Sequence, residues 1–214
     1  IKNLNKFEQK FRSLMALDDP HICTYRDVVI VEGRVILVIR PMVFESLEDL
    51  LSKTGHIGPD RAVSIFSQVA EALESALSLD ILHRDIKPSN ILILDNQKFD
   101  DDIMVMDFGI AKILNQQGQS FQDTQQLFIT PDYASPEHIK GQPLTVASEV
   151  YSLGILLYQI LTGINPFKSG QKNLSELIDM ICAYNPPPPS KLKDNRDDKM
   201  EGDIDNICLK ALRK

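Results

Sequence analysis

The segment "HRDIKPSN", residues 83–90, places His, Arg, Asp and Lys within five positions. In a helix, Asp85 and Lys87 would point to nearly opposite sides, because residues two apart do not share a face. Pro88 also argues against a helix, since the residue before a proline is pushed toward extended conformations. A solvated turn is the simpler alternative. The pattern favours an ordered loop in which Asp85, Lys87 and Asn90 could converge on one point.

The composition is that of an ordinary globular protein. With 214 residues, 43% of them hydrophobic, the chain suits one medium domain or two closely packed lobes. The net charge of -7 and the pI near 5.1 argue against a nucleic-acid partner, because phosphate binding requires a basic face. Any anion-binding site must therefore be local.

The three cysteines, Cys23, Cys182 and Cys208, are widely spaced and form no CxxC pair. This spacing favours core or surface thiols over a metal site or a disulfide framework. Thiols of this kind are typical of a reducing compartment, so we expect a cytoplasmic protein.

No uninterrupted apolar run approaches the ~20 residues that a membrane-spanning helix requires, so the sequence predicts no membrane segment. The first residues, "IKNLNKFEQK", lack the pattern of a signal peptide. The sequence starts at Ile1 and stops at "LKALRK" within a predicted helix. We therefore expect a fragment that is cut at both ends.

The first part of the chain predicts a helix, a hairpin and a second helix. Apolar residues recur at steps of three and four over residues 3–17, which is the period of an amphipathic helix. Residues 27–41, "DVVIVEGRVILVIRP", hold two β-branched runs around a glycine and predict an antiparallel hairpin. A helix should begin at Ser46, which Asp49 can join in a capping pair, and end at Gly55.

A longer helix should begin at Pro59 and lead to the "HRDIKPSN" loop. The large apolar side chains that share its predicted buried stripe are Val63, Phe66, Val69, Leu73 and Leu77. Beyond the loop, "NILIL" and "DIMVMDFG" predict two short strands, with the acidic run 100–102 as a solvated turn.

The rest of the chain is predicted to be mainly helical. Residues 113–130 are polar with little period and predict a long mobile loop. Residues 148–163 form the most hydrophobic helix, ended by a glycine. Residues 173–184 predict a weaker helix capped by Asn173, and "NPPPPS" at 185–190 predicts a stiff extended connector.

Asp107 stands after an apolar run and before Gly109 in "MDFG". A carboxylate at such a position is costly unless it is paired or holds a cation. Asn90 and Asp107 both offer oxygen ligands, which a hard ion such as Mg²⁺ prefers. Lys87 would then lie beside a phosphate that the ion also holds, and Asp85 would accept a proton from an incoming hydroxyl.

Four motifs occur in order: "HRDIKPSN", "DFG" 17 residues later, "TPDYASPE" and "SEVYSLG". Together they resemble the eukaryotic-type protein kinases. The second half is most similar to the bacterial serine/threonine kinases. The resemblance implies an α+β, protein-kinase-like bilobal fold. Residues 1–43 would form a partial β-rich N-lobe with helix C, strands 4 and 5 and the hinge, and residues 44–214 a mainly α-helical C-lobe.

The resemblance implies a role for each residue of the loop. Asp85 would be the catalytic base, and Lys87 would stabilise the transferred phosphoryl group and contact ATP. Asn90 would act in catalysis and, with Asp107, would hold Mg²⁺. His83 would be a packing residue rather than an acid or base.

The resemblance also implies regulatory positions. Arg84 would bind a phosphate on the activation loop, for which Ser120 and Thr124 are the candidate acceptors. Thr130 stands seven residues before Glu137, the spacing at which serine/threonine kinases keep a threonine that bonds the catalytic Asp and Lys. It favours Ser or Thr over Tyr as the target in a protein substrate.

An adenine site follows from aligning the hairpin end with the hinge of the family. Ile39 would be the gatekeeper, Arg40 and Met42 would be backbone partners of the adenine edge, and Leu92 would form the floor. Pro41 has no N–H, but the family uses the backbone groups on either side of that position.

The sequence departs from the family pattern in three places. The glycine-rich loop and the lysine of the third strand have no counterpart within these residues. Lys10 stands where a helix glutamate is expected, and Glu8 is two residues off, about 160° around the helix. Glu149 replaces an aspartate that usually holds the backbone of the catalytic loop.

These departures keep two alternatives open beside a serine/threonine protein kinase. The first is a pseudokinase that serves as a binding or scaffold module, which Lys10 and Glu149 favour. Four intact residues oppose it: Asp85, Lys87, Asn90 and Asp107. The second is a small-molecule phosphotransferase of the aminoglycoside type, which "TPDYASPE" disfavours because that class lacks the peptide-docking segment. The sequence makes no prediction of the oligomeric state.

Overall fold

A computed structural model describes residues 15, 17–31, 34–39, 41–94, 102–108, 131–168, 174–192 and 202–214. Within them the strands are β1 (Tyr25–Val31), β2 (Arg34–Ile39), β3 (Phe44–Ser46), β4 (Ile91–Leu94) and β5 (Asp102–Val105). The helices are α1 (Leu47–Thr54), α2 (Pro59–Leu77), α3 (Pro136–Ile139), α4 (Val146–Thr162), α5 (Leu174–Ala183) and α6 (Asp203–Ala211). Short 3-10 turns are Pro88–Asn90, Pro131–Tyr133 and Pro189–Lys191.

The hairpin predicted for residues 27–41 is confirmed. β1 and β2 pair antiparallel, with Tyr25 opposite Ile39 at one end. β1 begins two residues earlier than predicted, and its register shifts between Tyr25 and Asp27. Irregularities of this kind re-aim a side chain out of the regular alternation of a strand. Tyr25 therefore does not share the regular pairing register of the residues that follow it in β1.

β3, β4 and β5 form a second antiparallel sheet with β4 in the centre. Ile91, the first residue of β4, lies opposite Val105, the last residue of β5. The loop that enters β4 and the segment that leaves β5 therefore meet at the same end of the sheet. Both predicted strands are confirmed, but Asp102 is the first residue of β5 rather than part of a turn, because it pairs with Leu94.

The capping pair predicted for α1 is confirmed. The Asp49 N–H donates to Ser46 Oγ at 3.0 Å, and the Ser46 hydroxyl donates to Asp49 Oδ2 at 2.6 Å. Gly55 ends the helix in a positive-φ conformation and donates its N–H to the Leu51 carbonyl. The start and end of α1 follow from local chemistry, as the sequence indicated.

α2 begins at Pro59 as predicted, but the predicted buried stripe is partly wrong. Val63 is 44% exposed, whereas Val69 and Leu73 are buried. The residues that share the buried face are Pro59, Ala62, Ile65, Val69, Ala72, Leu73 and Ala76. Because this face carries three alanines, α2 can approach its neighbours β5 and α4 closely. The predicted stripe of large apolar side chains did not indicate that alanines form part of the packed face.

α4 is the most apolar helix of the described chain, as the sequence predicted for residues 148–163. It begins earlier, at Val146, because Thr145 caps it: the Thr145 N–H donates to Ser148 Oγ at 3.1 Å. α4 packs against α2 and α6. Its completely buried side chains are Ile155, Leu156, Ile160 and Leu161. This helix forms the centre of the helical core.

Gly163, which ends α4, is expected to tolerate no larger residue. Its φ is +73°, and an added Cβ would lie 2.3 Å from the carbonyl oxygen of Gly55. We expect Gly163→Ala to lower the free energy of unfolding by about 2–4 kcal/mol, from backbone strain and overpacking together. Urea unfolding measures this loss. Gly58→Ala is the matched control, because a Cβ there meets nothing within 4 Å; equal losses in both variants would contradict the prediction.

Several predictions fall wholly or partly on residues outside the described ranges. Only Met15 is described as helical within the helix predicted for residues 3–17. The loop 113–130 and the cap Asn173 lie outside the described residues. The helix predicted for residues 173–184 is confirmed over Leu174–Ala183. The connector at 185–190 has no regular structure until a 3-10 turn begins at residue 189.

The described residues combine helices with two small sheets, which fits the predicted α+β class. The boundary between lobes at residues 43 and 44 stays a prediction. Cys23, Cys182 and Cys208 are free thiols, as expected.

Candidate active site

The segment between α2 and β4 is an ordered loop, as predicted. Residues 81–87 have no regular structure, and Pro88–Asn90 forms a single 3-10 turn. The Ile81 N–H donates to the Ala76 carbonyl at 3.1 Å, which fixes the start of the loop against α2. Ile81 and Ile86 are buried in the core. The apolar residues thus anchor the loop, while Arg84, Asp85 and Lys87 stay partly exposed.

Asp85, Lys87 and Asn90 converge, as the sequence suggested. Lys87 Nζ lies 2.7 Å from Asp85 Oδ2. The Asn90 amide nitrogen donates to the Asp85 main-chain oxygen at 2.8 Å and to Asp85 Oδ2 at 3.3 Å. Because one carboxylate oxygen contacts two donors, the orientation of the Asp85 carboxylate is fixed. The Asp85 side chain is still 34% exposed, so a substrate group can approach it.

His83 has the packing role that was predicted for it. It is completely buried, its Nε2–H donates to the Met106 carbonyl at 2.9 Å, and its Nδ1 accepts the Asp85 N–H at 3.2 Å. Its ring packs on Phe108 with the centroids 4.6 Å apart. Burial lowers the pKa of His83 to about 4, so the imidazole is neutral near pH 7. His83 therefore joins the loop to the segment after β5.

Glu149 performs the backbone contact expected of the shorter aspartate. The Arg84 N–H donates to Glu149 Oε1 at 2.6 Å, from a buried position near the start of α4. Arg84 has a φ of +69°, which a residue other than glycine rarely adopts. Burial raises the pKa of Glu149, and the backbone N–H groups of Arg84 and His83 oppose that rise. The extra methylene of Glu149 is thus accommodated.

We expect Glu149→Ala to lower the free energy of unfolding by about 1–3 kcal/mol, because it leaves the Arg84 N–H without its acceptor. The same change should lower activity, since the loop that carries Asp85 loses a support. Urea unfolding and a phosphorylation assay measure the two effects. Ser152→Ala on the same helix is the control, because Ser152 bonds Tyr133 and Ser148 instead of the loop. Stability equal to that of the wild type would contradict this role.

The loss from Glu149→Ala should also depend on pH. Because its pKa is raised, the folded protein binds the Glu149 proton more tightly than the unfolded chain does. The contribution of this group to stability is therefore greatest at acid pH and is lost as the pH rises through the raised pKa. The difference in unfolding free energy between wild type and variant should shrink over that range. A difference that grows with pH would contradict the assignment.

Asp107 lies at the same end of the sheet as Asn90. The Met106 N–H donates to the Asn90 carbonyl at 2.9 Å, which places Asp107 one residue beyond that contact. Asp107 is exposed and has a φ of +64°. Its N–H donates to the hydroxyl of Tyr25 at 2.8 Å. Partial desolvation, followed by the nearby charge of Asp85, raises the pKa of the Asp107 carboxyl, and Lys87 opposes this rise.

Asn90 and Asp107 fit a magnesium ion in two respects. The Asn90 amide nitrogen already bonds Asp85, so the amide oxygen is the atom suited to a cation. The nearby charge of Asp85 disfavours the charged form of the Asp107 carboxyl, and a bound cation would favour that form. Mg²⁺ usually binds through one or two carboxylates, substrate phosphates and water, so it needs few ligands from the protein.

The residues predicted for adenine binding are only partly described. Ile39, the last residue of β2, packs half-buried against the core, and Met42 follows it in the segment before β3. Leu92 is buried in β4, between Ser46 and Met104. Arg40 lies outside the described residues. Their joint role in binding adenine stays a prediction.

The regulatory residues Ser120, Thr124 and Thr130, and the departure at Lys10, also lie outside the described residues. Glu137, in α3, accepts a hydrogen bond from the Ser148 hydroxyl. This bond ties the "SPE" segment to the first turn of α4, close to Glu149.

Sequence reasoning missed Tyr25. It is a buried tyrosine at the start of β1, and it bonds Asp107 across 82 positions of sequence. The only local signal was a hydroxyl-bearing residue at the edge of an apolar strand.

Comparison with known proteins identifies the class to which this fold and site belong. The sequence matches the protein kinase domain family over residues 2–214. The chain belongs to this family, and the resemblance noted in its motifs is confirmed.

The related proteins are bacterial serine/threonine kinases. The chain is 34% identical over 213 residues to serine/threonine-protein kinase PknB of Mycolicibacterium smegmatis. It is 30% identical over 222 residues to serine/threonine-protein kinase pkn3 of Myxococcus xanthus. The matches cover 98% and 100% of this chain but only 32% and 39% of those proteins. The chain thus spans about a third of the length of its relatives.

A solved structure supports the fold. The crystal structure of a doubly substituted PknI kinase domain from Mycobacterium tuberculosis matches with a TM-score of 0.71, covering 99% of this chain and 71% of that one. At 19% sequence identity this similarity supports the fold alone. The predicted protein-kinase-like fold is confirmed. Among the described helices, none combines the length and apolar character needed to cross a membrane.

Proposed function

We propose that the protein is a serine/threonine protein kinase, which transfers the γ-phosphoryl group of ATP to a hydroxyl group of a protein substrate. The observation that carries this proposal is the contact set of Asp85, with Lys87 Nζ at 2.7 Å and the Asn90 amide at 3.3 Å from the same carboxylate oxygen. Family membership and the serine/threonine kinases among the relatives support it. None of the comparisons indicates a pseudokinase.

In this proposal Asp85 accepts the proton of the attacking hydroxyl while the new oxygen–phosphorus bond forms. The bond between the γ-phosphorus and the bridging oxygen breaks, and ADP leaves. Lys87 lies beside Asp85, where its charge can stabilise the transferred phosphoryl group. Most of the acceleration comes from positioning and charge stabilisation, because phosphoryl transfer requires little covalent help from the protein.

Mg²⁺ and ATP are the proposed cofactors. When bound, Mg²⁺ neutralises the developing charge on the phosphate oxygens. Asn90 and Asp107 would hold it, since both occupy the end of the sheet where β4 begins and β5 ends. Ile39, Arg40, Met42 and Leu92 remain the proposed adenine contacts.

The regulatory assignments are also proposals. Arg84 would bind a phosphate carried by Ser120 or Thr124, and Thr130 would favour serine or threonine as the target. Residues 1–43 would form the N-lobe and residues 44–214 the C-lobe. Three free cysteines support a reducing, cytoplasmic location.

The test uses the protein expressed from its complete coding sequence, with γ-labelled ATP, Mg²⁺ and a generic basic protein. We expect labelled protein whose hydrolysate contains phosphoserine or phosphothreonine. Asp85→Asn, prepared in parallel, reveals any contaminating kinase. No label from the wild type would overturn the proposal and favour a binding module. Label on tyrosine alone would overturn the residue specificity.

A further inference from the structure

The peptide of Asp107 is held in an unusual conformation. Its φ of +64° lies in the left-handed region, which costs a residue with a Cβ roughly 1–2 kcal/mol. Such conformations persist where surrounding contacts determine them, and they cluster at functional sites. The contacts around Asp107 therefore show what holds its backbone in this conformation.

Neighbours fix the chain on both sides of Asp107. The Met106 N–H bonds the Asn90 carbonyl, and the Met106 carbonyl accepts the His83 Nε2–H, both at 2.9 Å. Phe108 is buried against the His83 ring. The Asp107 N–H lies between these contacts, and its donation to Tyr25 Oη at 2.8 Å completes them.

The position of Tyr25 is itself well determined. Tyr25 is 3% exposed and stands at the register shift of β1. The segment before it runs parallel to the end of β5: Ile22 bridges Val105, and the Cys23 N–H donates to the Val105 carbonyl at 2.9 Å. Burial raises the pKa of Tyr25, so the phenol remains neutral. The hydroxyl is thus a fixed, uncharged acceptor beside Asp107.

We propose that Tyr25 is a positioning residue of the catalytic site, whose hydroxyl holds the Asp107 peptide so that the carboxylate is directed at the nucleotide-bound Mg²⁺. This inference rests on the proposed kinase function. Tyr25 acts through Asp107, in the way that partners of metal ligands usually act. Phenylalanine would fill the same space but could not accept the N–H.

The test is Tyr25→Phe in the complete protein. We expect the Mg²⁺ concentration for half-maximal activity to rise about tenfold, as is common when a partner of a metal ligand is removed. The KM for the protein substrate should stay unchanged. A merely structural role would lower the melting temperature and leave the Mg²⁺ dependence as it was. Tyr151→Phe is the matched control, because Tyr151 is also buried and its hydroxyl bonds a carbonyl, that of Ile181, on α5.

Amide hydrogen exchange gives a readout that does not need activity. In the metal-free wild type the Asp107 amide should exchange slowly, and in Tyr25→Phe it should exchange at least tenfold faster. Tyr151→Phe should leave this amide unchanged. If Tyr25→Phe fails to fold, hydrogen exchange in the wild type still tests the inference, because a rapidly exchanging Asp107 amide would overturn it.

The failure of this inference differs from the failure of the proposed function. An inactive wild type with a protected Asp107 amide would overturn the function alone. If the wild type is active, the role of Tyr25 is overturned when Tyr25→Phe has the same Mg²⁺ dependence and the same exchange rate of the Asp107 amide as the wild type. Weaker Mg²⁺ activation together with faster exchange, absent from Tyr151→Phe, would support it.

Discussion

Asp107→Asn is expected to lower kcat by about a thousandfold. A metal ion supplies several kcal/mol of charge stabilisation to a phosphoryl transfer, and each ~1.4 kcal/mol is a factor of ten in rate. Asparagine can adopt the left-handed φ of +64° and can keep the N–H bond to Tyr25. The variant should therefore fold normally, and the loss should come from weaker binding of Mg²⁺.

A thermal shift separates this loss from misfolding. MgATP at ~100 times its dissociation constant should stabilise the wild type by about 2.7 kcal/mol, which raises the melting temperature of such a domain by roughly 5–10 °C. Asp107→Asn should lose most of that increase. Without MgATP it should melt at or slightly above the wild-type temperature, because partial desolvation and Asp85 already disfavour the charged Asp107 carboxyl.

Asp80→Asn is the control for Asp107→Asn. Asp80 is exposed and also has a positive φ, +56°, but it lies in the turn after α2. Asp80→Asn therefore makes the same chemical change at a similar backbone conformation, but outside the site. Equal losses of the MgATP shift in both variants would contradict the role of Asp107, as would a normal shift in Asp107→Asn.

The parts of the site that lie close together in sequence could be predicted from it. Asp85, Lys87 and Asn90 span six positions, and Pro88 disfavours an α-helix for the residues before it. Their convergence follows from local geometry. The cap at Ser46 was predictable for the same reason, because its hydrogen bonds reach only three residues along the chain.

The parts that depend on packing could not be read in this way. The bond between Tyr25 and Asp107 joins positions 82 apart, and it exists because segment 21–25 runs beside the end of β5. The buried face of α2 depends on alanines, which a search for large apolar side chains overlooks. Both features depend on which helices and strands pack against each other. The periodicity of apolar residues in the sequence does not reveal those contacts.

Asp85→Asn is expected to lower kcat by about 10²–10⁴-fold, the usual contribution of a general base. The amide can occupy the same space and still meet Lys87 and Asn90, but it cannot take a proton from the substrate hydroxyl. Because Asp85 is assigned to the hydroxyl rather than to the nucleotide, the KM for ATP should change little.

The contrast between the two variants assigns the roles within the site. Asp85→Asn should keep the thermal shift with MgATP that Asp107→Asn loses, although both abolish most phosphorylation. Asp179→Asn, an exposed change on α5, should alter neither quantity. If Asp85→Asn keeps wild-type kcat, Asp85 is not the base. If it loses the MgATP shift as well, its carboxylate serves the nucleotide instead, and the proton acceptor must be another residue of the site.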